Sequence, residues 1–388
     1  TANFDGNVTG SGTMAIVTGA TAGETATATI AANVISNITL DDGAGTDVAT
    51  VTFDGAVAQT MTGDLISVTT GDGALVVTNT HADGVTISGD LGTSTASNKE
   101  LGSIQVGASS KLVVIATGAD DGITTSAGTN GIGGLGANAA ATTLGGTLTL
   151  KGATGAAGAS TTGVAQASSI AGITNMAAVN VTGGAGLTTS TTDATDGPDG
   201  GASSAAFVGA ATINALTVTG GAAADGRDND TDNSVGGLGG DASAVFTAAL
   251  TATTVNVTAT AGGVGGAGVT TVVSTGSLGG AGGDASLDLN VATGTTQAIG
   301  TLTIAGADGG SAGADGDSTS VPGAAGGSGG NASATIASDF TGNIVLNDGV
   351  AGATITAAGG AKGTATVTFD GGTVQTITGT IAADADGK

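Results

Sequence analysis

One phrase constrains this chain more than any other. Gly236-Gly237-Leu238-Gly239-Gly240-Asp241-Ala242-Ser243 returns as Gly279-Gly280-Ala281-Gly282-Gly283-Asp284-Ala285-Ser286, and again as Gly326-Gly327-Ser328-Gly329-Gly330-Asn331-Ala332-Ser333. Recurrence at a long period marks a stacked or arrayed architecture. Glycine lets backbones approach closely, as in collagen. The phrases are therefore expected to lie side by side as extended, polyproline-II-like segments.

Short strands punctuate the glycine. Leu148-Thr149-Leu150, Val179-Asn180-Val181, Leu216-Thr217-Val218, Val255-Asn256-Val257 and Leu302-Thr303-Ile304 begin 31, 37, 39 and 47 residues apart. Nearer the start the alternation is tighter, as in Thr27-Ala28-Thr29-Ile30, Ile38-Thr39-Leu40 and Val85-Thr86-Ile87. Turns such as Asp41-Asp42-Gly43 and Asp54-Gly55 separate those runs. Sustained helical spacing is missing, and period-two alternation with turn residues reads as strand. The expected fold is all-β: an elongated parallel β-solenoid with long Gly-rich excursions, or alternatively a β-sandwich array. At about 20 residues per coil and ~4.8 Å per layer, a solenoid would be a rod about 90 Å long.

Three regions follow. Residues 1–122 form a regular β-repeat region, 123–335 carry wide-spaced strands with Gly-rich loops, and 336–388 form a β-repeat region resembling 37–66. The last match is close. Ala49-Thr50-Val51-Thr52-Phe53-Asp54-Gly55 recurs as Ala365-Thr366-Val367-Thr368-Phe369-Asp370-Gly371, and Gln59 to Gly63 parallels Gln375 to Gly379.

Composition narrows the chemistry. There is no Cys, Trp or Tyr, and only 6 Phe, so the core must be built from small apolar side chains. Net charge is −25 with six basic residues. Phosphate neutralisation needs basic clusters, which excludes nucleic acid as a partner, and the same holds for anionic membrane surfaces. No stretch approaches a transmembrane span, so no membrane insertion is expected. His81 is the only His. It leaves a multi-His metal centre or a Ser-His-Asp triad without support. The expected protein is not an enzyme. The chain opens at Thr1 without an apolar leader and reads as a mature or excised product.

Calcium is the one ligand the residues favour, as a structural ion. Apart from Glu24 and Glu100, all 31 acids are Asp, the acid of turns and ion-binding loops. Asp225, Asp228, Asp230 and Asp232 crowd one glycine-flanked loop, and hard oxygen ligands on a turn-forming backbone suit Ca²⁺. Asp308, Asp315 and Asp317 form a looser cluster, and Asp193, Asp196 and Asp199 another. Asp241 and Asp284 close the glycine phrases, which are similar to the Ca²⁺-binding nonapeptide Gly-Gly-x-Gly-x-Asp-x-U-x, although Ser243 and Ser286 stand where its large apolar residue belongs.

The phrases Thr-Val-Thr-Phe-Asp-Gly, Gly-Asp-Gly-Ala-Leu-Val-Val and Gly-Gly-x-Gly-Gly-Asp-Ala-Ser together resemble bacterial β-strand-repeat cell-surface proteins: S-layer proteins, adhesins and autotransporter-like passengers. The resemblance implies an extracellular or cell-surface location and self-association into a homopolymer or lattice. The expected function is a structural protein that self-assembles into a surface layer or filament, stabilised by calcium. The alternative is an adhesin stalk, or a receptor- or glycan-binding module, contacting a cell-surface glycan.

Overall fold

Alternation of Thr with Val, Ile or Leu gives each strand one apolar face and one polar face. A parallel stack buries the apolar face of every strand at once. The computed structural model describes residues 1–19, 21–43, 47–69, 73–92, 101–116, 132–135, 145–152, 166–170, 173–186, 197–207, 209–226, 235–266, 277–292, 295–313, 325–349, 362–370 and 375–383. It is a parallel β-solenoid. Every strand pairing in it is parallel, and no helix among the described residues is long and apolar enough to cross a membrane.

Each coil carries two strand positions, and in most coils the second strand is the longer. The first four coils are β1 (Ala2–Phe4) with β2 (Val8–Val17), β3 (Thr25–Ile30) with β4 (Val34–Asp41), β5 (Val48–Phe53) with β6 (Gln59–Thr62) and β7 (Leu65–Ser67), and β8 (Ala74–Val77) with β9 (Val85–Ser88). Then come β10 (Ser103–Gly107) with β11 (Lys111–Ala116), β12 (Ile132–Leu135) with β13 (Gly145–Gly152), β14 (Gln166–Ile170) with β15 (Ile173–Thr182), and β16 (Ser203–Phe207) with β17 (Ala211–Thr219). The last four are β18 (Ala242–Phe246) with β19 (Leu250–Thr258), β20 (Ala285–Leu289) with β21 (Thr296–Ala305), β22 (Ala332–Ile336) with β23 (Asp339–Asn347), and β24 (Ala365–Phe369) with β25 (Ile377–Thr378) and β26 (Ile381–Ala383).

Register is kept along the stack. Leu148 pairs with Val179, Val179 with Leu216, Leu216 with Val255, Val255 with Leu302 and Leu302 with Ile344. All are fully buried, so the long strands contribute an unbroken aliphatic column to the core. The short strands from β14 to β24 form a second sheet, in which Phe207 and Phe246 stack with ring centroids 4.5 Å apart. These described coils number twelve, about 55 Å at ~4.8 Å per layer. The rod is shorter than a 20-residue coil implies, because equivalent positions lie 26 residues apart in the early coils and 47 apart in a late one.

The longer coils owe their extra length to a second structure beside the β stack. From β15 onward the chain leaves each long strand, and enters each short one, through an extended glycine segment. The entering segments bond to one another at every third residue. Gly236, Gly239 and Ala242 donate to the carbonyls of Leu278, Ala281 and Asp284, and Gly279, Gly282 and Ala285 donate to Ala325, Ser328 and Asn331. The leaving segments repeat the pattern, with Ala259, Gly262 and Gly265 donating to Ala305, Asp308 and Ser311. A three-residue repeat is that of the polyproline-II helix. The two ranks also bond across: Gly221 N–H to Gly201, Gly240 to Gly221, Gly263 to Gly237, Gly280 to Gly263 and Gly310 to Gly280. The coil therefore has two halves, one cored by aliphatic side chains and one by peptide groups.

Glycine is obligatory in that second half. A Cβ at Gly280 would collide with the Gly237 carbonyl, and one at Gly330 with that of Gly283. Gly12, on the first coil, has nothing within 4 Å of such a Cβ. Overpacking costs typically 1–3 kcal/mol. Gly280→Ala is therefore expected to destabilise the neighbouring coils by about that amount, whereas Gly12→Ala is near neutral. Native-state hydrogen exchange checks both, and it should also find the amides of Gly239, Gly263, Gly280 and Gly282 slow to exchange in the parent chain.

The matching ends are structural equivalents. Gln59 Nε2 donates to the carbonyls of Ile30 (2.8 Å) and Ala32 (3.2 Å), and Gln375 Nε2 donates to those of Ile336 (2.9 Å) and Ser338 (3.1 Å). Gly63 and Gly379 both take left-handed φ, at +130° and +144°.

Candidate functional site

The polar side chains of this fold form ladders along the stacking axis. In a Gly-Gly-x repeat two positions of three face other segments, and the third faces out. Asp199 stands at such a third position, and its Oδ1 accepts the N–H of Leu238 in the next coil (2.7 Å). Asp225 does the same for Val264 (2.7 Å). Asp241 accepts from Asp284 N–H (2.8 Å), Asp284 from Asn331 N–H (2.6 Å), and Asn331 from Thr364 N–H (2.9 Å).

The device also recurs outside the glycine segments. Asn7 accepts from Asn33 N–H, Asn33 from Thr60, Asn37 from Asp64 and Asp64 from Asp90. At the far end Asp339 and Asn343 accept from Thr376 and Thr380. Strand pairing leaves the outward N–H groups at these corners without carbonyl partners, and a short Asx side chain one coil back supplies the acceptor.

Four of the sequence-predicted ligands hold backbone: Asp199, Asp225, Asp241 and Asp284 each direct Oδ1 to the next coil's amide. Asp308 lies in the leaving segment that follows β21, where its carbonyl accepts Gly262 N–H. Asp228, Asp230, Asp232, Asp315 and Asp317, with Asp193 and Asp196, lie outside the described residues. Among the described residues no three His, Cys, Asp or Glu side chains gather as a metal-binding group.

Other polar groups brace turns. His81 sits in the turn before β9, where its Nδ1 accepts Asp83 N–H (3.1 Å) and its own N–H donates to Asn79 Oδ1 (2.8 Å). Asn79 in turn donates from Nδ2 to Gln59 Oε1 (2.7 Å) and to the Val57 carbonyl (2.8 Å). The ring is part of a turn-bracing network. Sequence reading missed Asp47, a buried carboxylate whose Oδ1 accepts the N–H groups of Gly23 and Glu24. No local motif marks it; the signal is that Glu24 and Asp47 precede strands that pair in register, Thr25 with Val48.

Asp288, on β20, is a carboxyl whose titration is displaced. Burial pushes its pKa above the usual 3.8, and the Asp370 carboxylate adds to the rise. The folded state holds this proton more tightly than the unfolded chain does. Stability from this group is therefore present at low pH and lost as pH rises above 3.8 through the folded value. Asp288→Asn is expected to abolish that loss and leave the variant more stable than the parent at pH 7, with the difference shrinking toward pH 4. Melting curves at the two pH values check it.

Comparison with protein-family models, curated proteins and solved structures finds no match to this chain.

Proposed function

We propose that this chain is a non-enzymatic extracellular structural protein, a stiff rod whose copies associate laterally into a surface layer or filament. The observation that carries the reading is the paired construction of the coils from β15 onward. A β half and a glycine half are both knit to the coils before and after by peptide hydrogen bonds, and Asx side chains close the corners, so the remaining side chains coat a braced scaffold.

The outward third positions supply the contacts. Leu238 (51% exposed) and Leu278 (49%) lie on adjacent entering segments, and Val264 (41%) lies on a leaving segment. Exposed large apolar residues on a flat surface favour association with a similar surface. The glycines themselves are not available for lateral contact, because their close approaches are used within the chain. Charge opposes assembly: at −25 per chain, copies repel until salt or a divalent cation screens them. Structural Ca²⁺ fits this need, and the resemblance to β-strand-repeat surface proteins supports the same cell-surface role.

The chain is expected to form assemblies larger than a dimer when concentrated with millimolar Ca²⁺. Leu238→Asp with Leu278→Asp should keep it dispersed without altering its circular dichroism. Sedimentation velocity and negative-stain electron microscopy check both. A parent chain that stays monomeric under these conditions overturns the reading.

A further inference from the structure

The turns that link the first three coils enclose a set of oxygens that nothing in the fold satisfies. Residues 18–24 join β2 to β3, and residues 42–47 join β4 to β5. Val17 pairs with Asp41 and Thr25 with Val48, so the described ends of the second turn, at 42–43 and 47, lie beside those of the first. Asp47 is 4% exposed and Thr18 is 7% exposed. Asp47 uses Oδ1 for the amides of Gly23 and Glu24, but its Oδ2 is buried without a hydrogen-bond partner, and so is Thr18 Oγ1.

Both orphaned oxygens face one space. A Cβ built on Gly43 would stand 2.8 Å from the Gly19 carbonyl oxygen, 2.9 Å from Thr18 Oγ1 and 3.6 Å from Asp47 Oδ2. Gly43 has no Cβ, and its φ of +66° disfavours any residue that does. Its N–H is held away by Asp41 Oδ1 at 3.0 Å. The Glu24 carboxylate lies against Gly19 on the outer side.

We propose that this pocket binds a hard cation, with Ca²⁺ as the fitting ion. A carboxylate, a hydroxyl and a peptide carbonyl converge, which is the mixed oxygen set such ions take, and water and Glu24 complete the shell. A water molecule alone would satisfy the hydrogen bonding but leave the Asp47 charge uncompensated in a buried position. The two turns add Glu24, Asp41 and Asp42 and contain no basic residue. The buried, unpartnered oxygens of Asp47 and Thr18 carry the site, and it is independent of whether copies associate.

The test uses the full chain, stripped with chelator and titrated with CaCl₂ at an ionic strength that suppresses loose surface binding. Amide resonances of Gly19, Gly23, Glu24 and Gly43 are followed by NMR. Saturable shifts at these amides are expected. Asp47→Asn, which keeps the Oδ1 acceptor, and Thr18→Val, which keeps the shape, should each weaken that binding at least tenfold. Asp241→Asn should leave it unchanged. Absence of shifts at these four amides, or parent-like binding by folded Asp47→Asn and Thr18→Val, overturns the proposal and assigns the space to water. Either outcome is separable from assembly, which the Leu238 and Leu278 variants report.

Discussion

Peptide hydrogen bonds directed along the stacking axis hold everything else in position. In the β half they are the rungs of parallel ladders, and in the glycine half they are the every-third-residue bonds between extended segments. Both kinds join a residue to its equivalent one coil away. That shared direction lets an aliphatic-cored half and a peptide-cored half coexist in one coil without a mismatch of pitch. The Asx ladders are the same principle carried by side chains, since Asp241 and Asp284 each satisfy an amide of the following coil.

Much of this was legible because stacking makes equivalent residues resemble one another. The spacing of Leu148, Val179, Leu216, Val255 and Leu302 is the register of their strands, and the glycine phrases mark segments that do lie side by side. Rod length was misjudged because excursions read as departures from the coil are part of its perimeter. The amide that Asp241 holds was hidden for another reason. A carboxylate beside glycine has one appearance in sequence whether it meets a cation or an amide, and only the register shows the Asp284 N–H within reach.

Asp47 illustrates the converse. Its neighbours in sequence, Thr46 and Val48, suggest an ordinary strand entry. Its environment comes from Gly23 and Glu24, which reach it only when the second turn settles on the first. Sites of this kind sit between coils, so they follow from which turns stack, and a search for dense runs of acid overlooks them.

The two-core coil has a thermal consequence. Exposing apolar surface raises the heat capacity of unfolding, whereas exposing polar surface lowers it. The aliphatic columns give the β half the usual curved dependence of stability on temperature. The glycine half withdraws mainly peptide groups from water, so its share of that curvature is small or opposite in sign. Cooling, which weakens hydrophobic burial, therefore erodes one half of each coil from β15 onward far more than the other. A rod built this way has a scaffold along one side whose cohesion is nearly indifferent to cold.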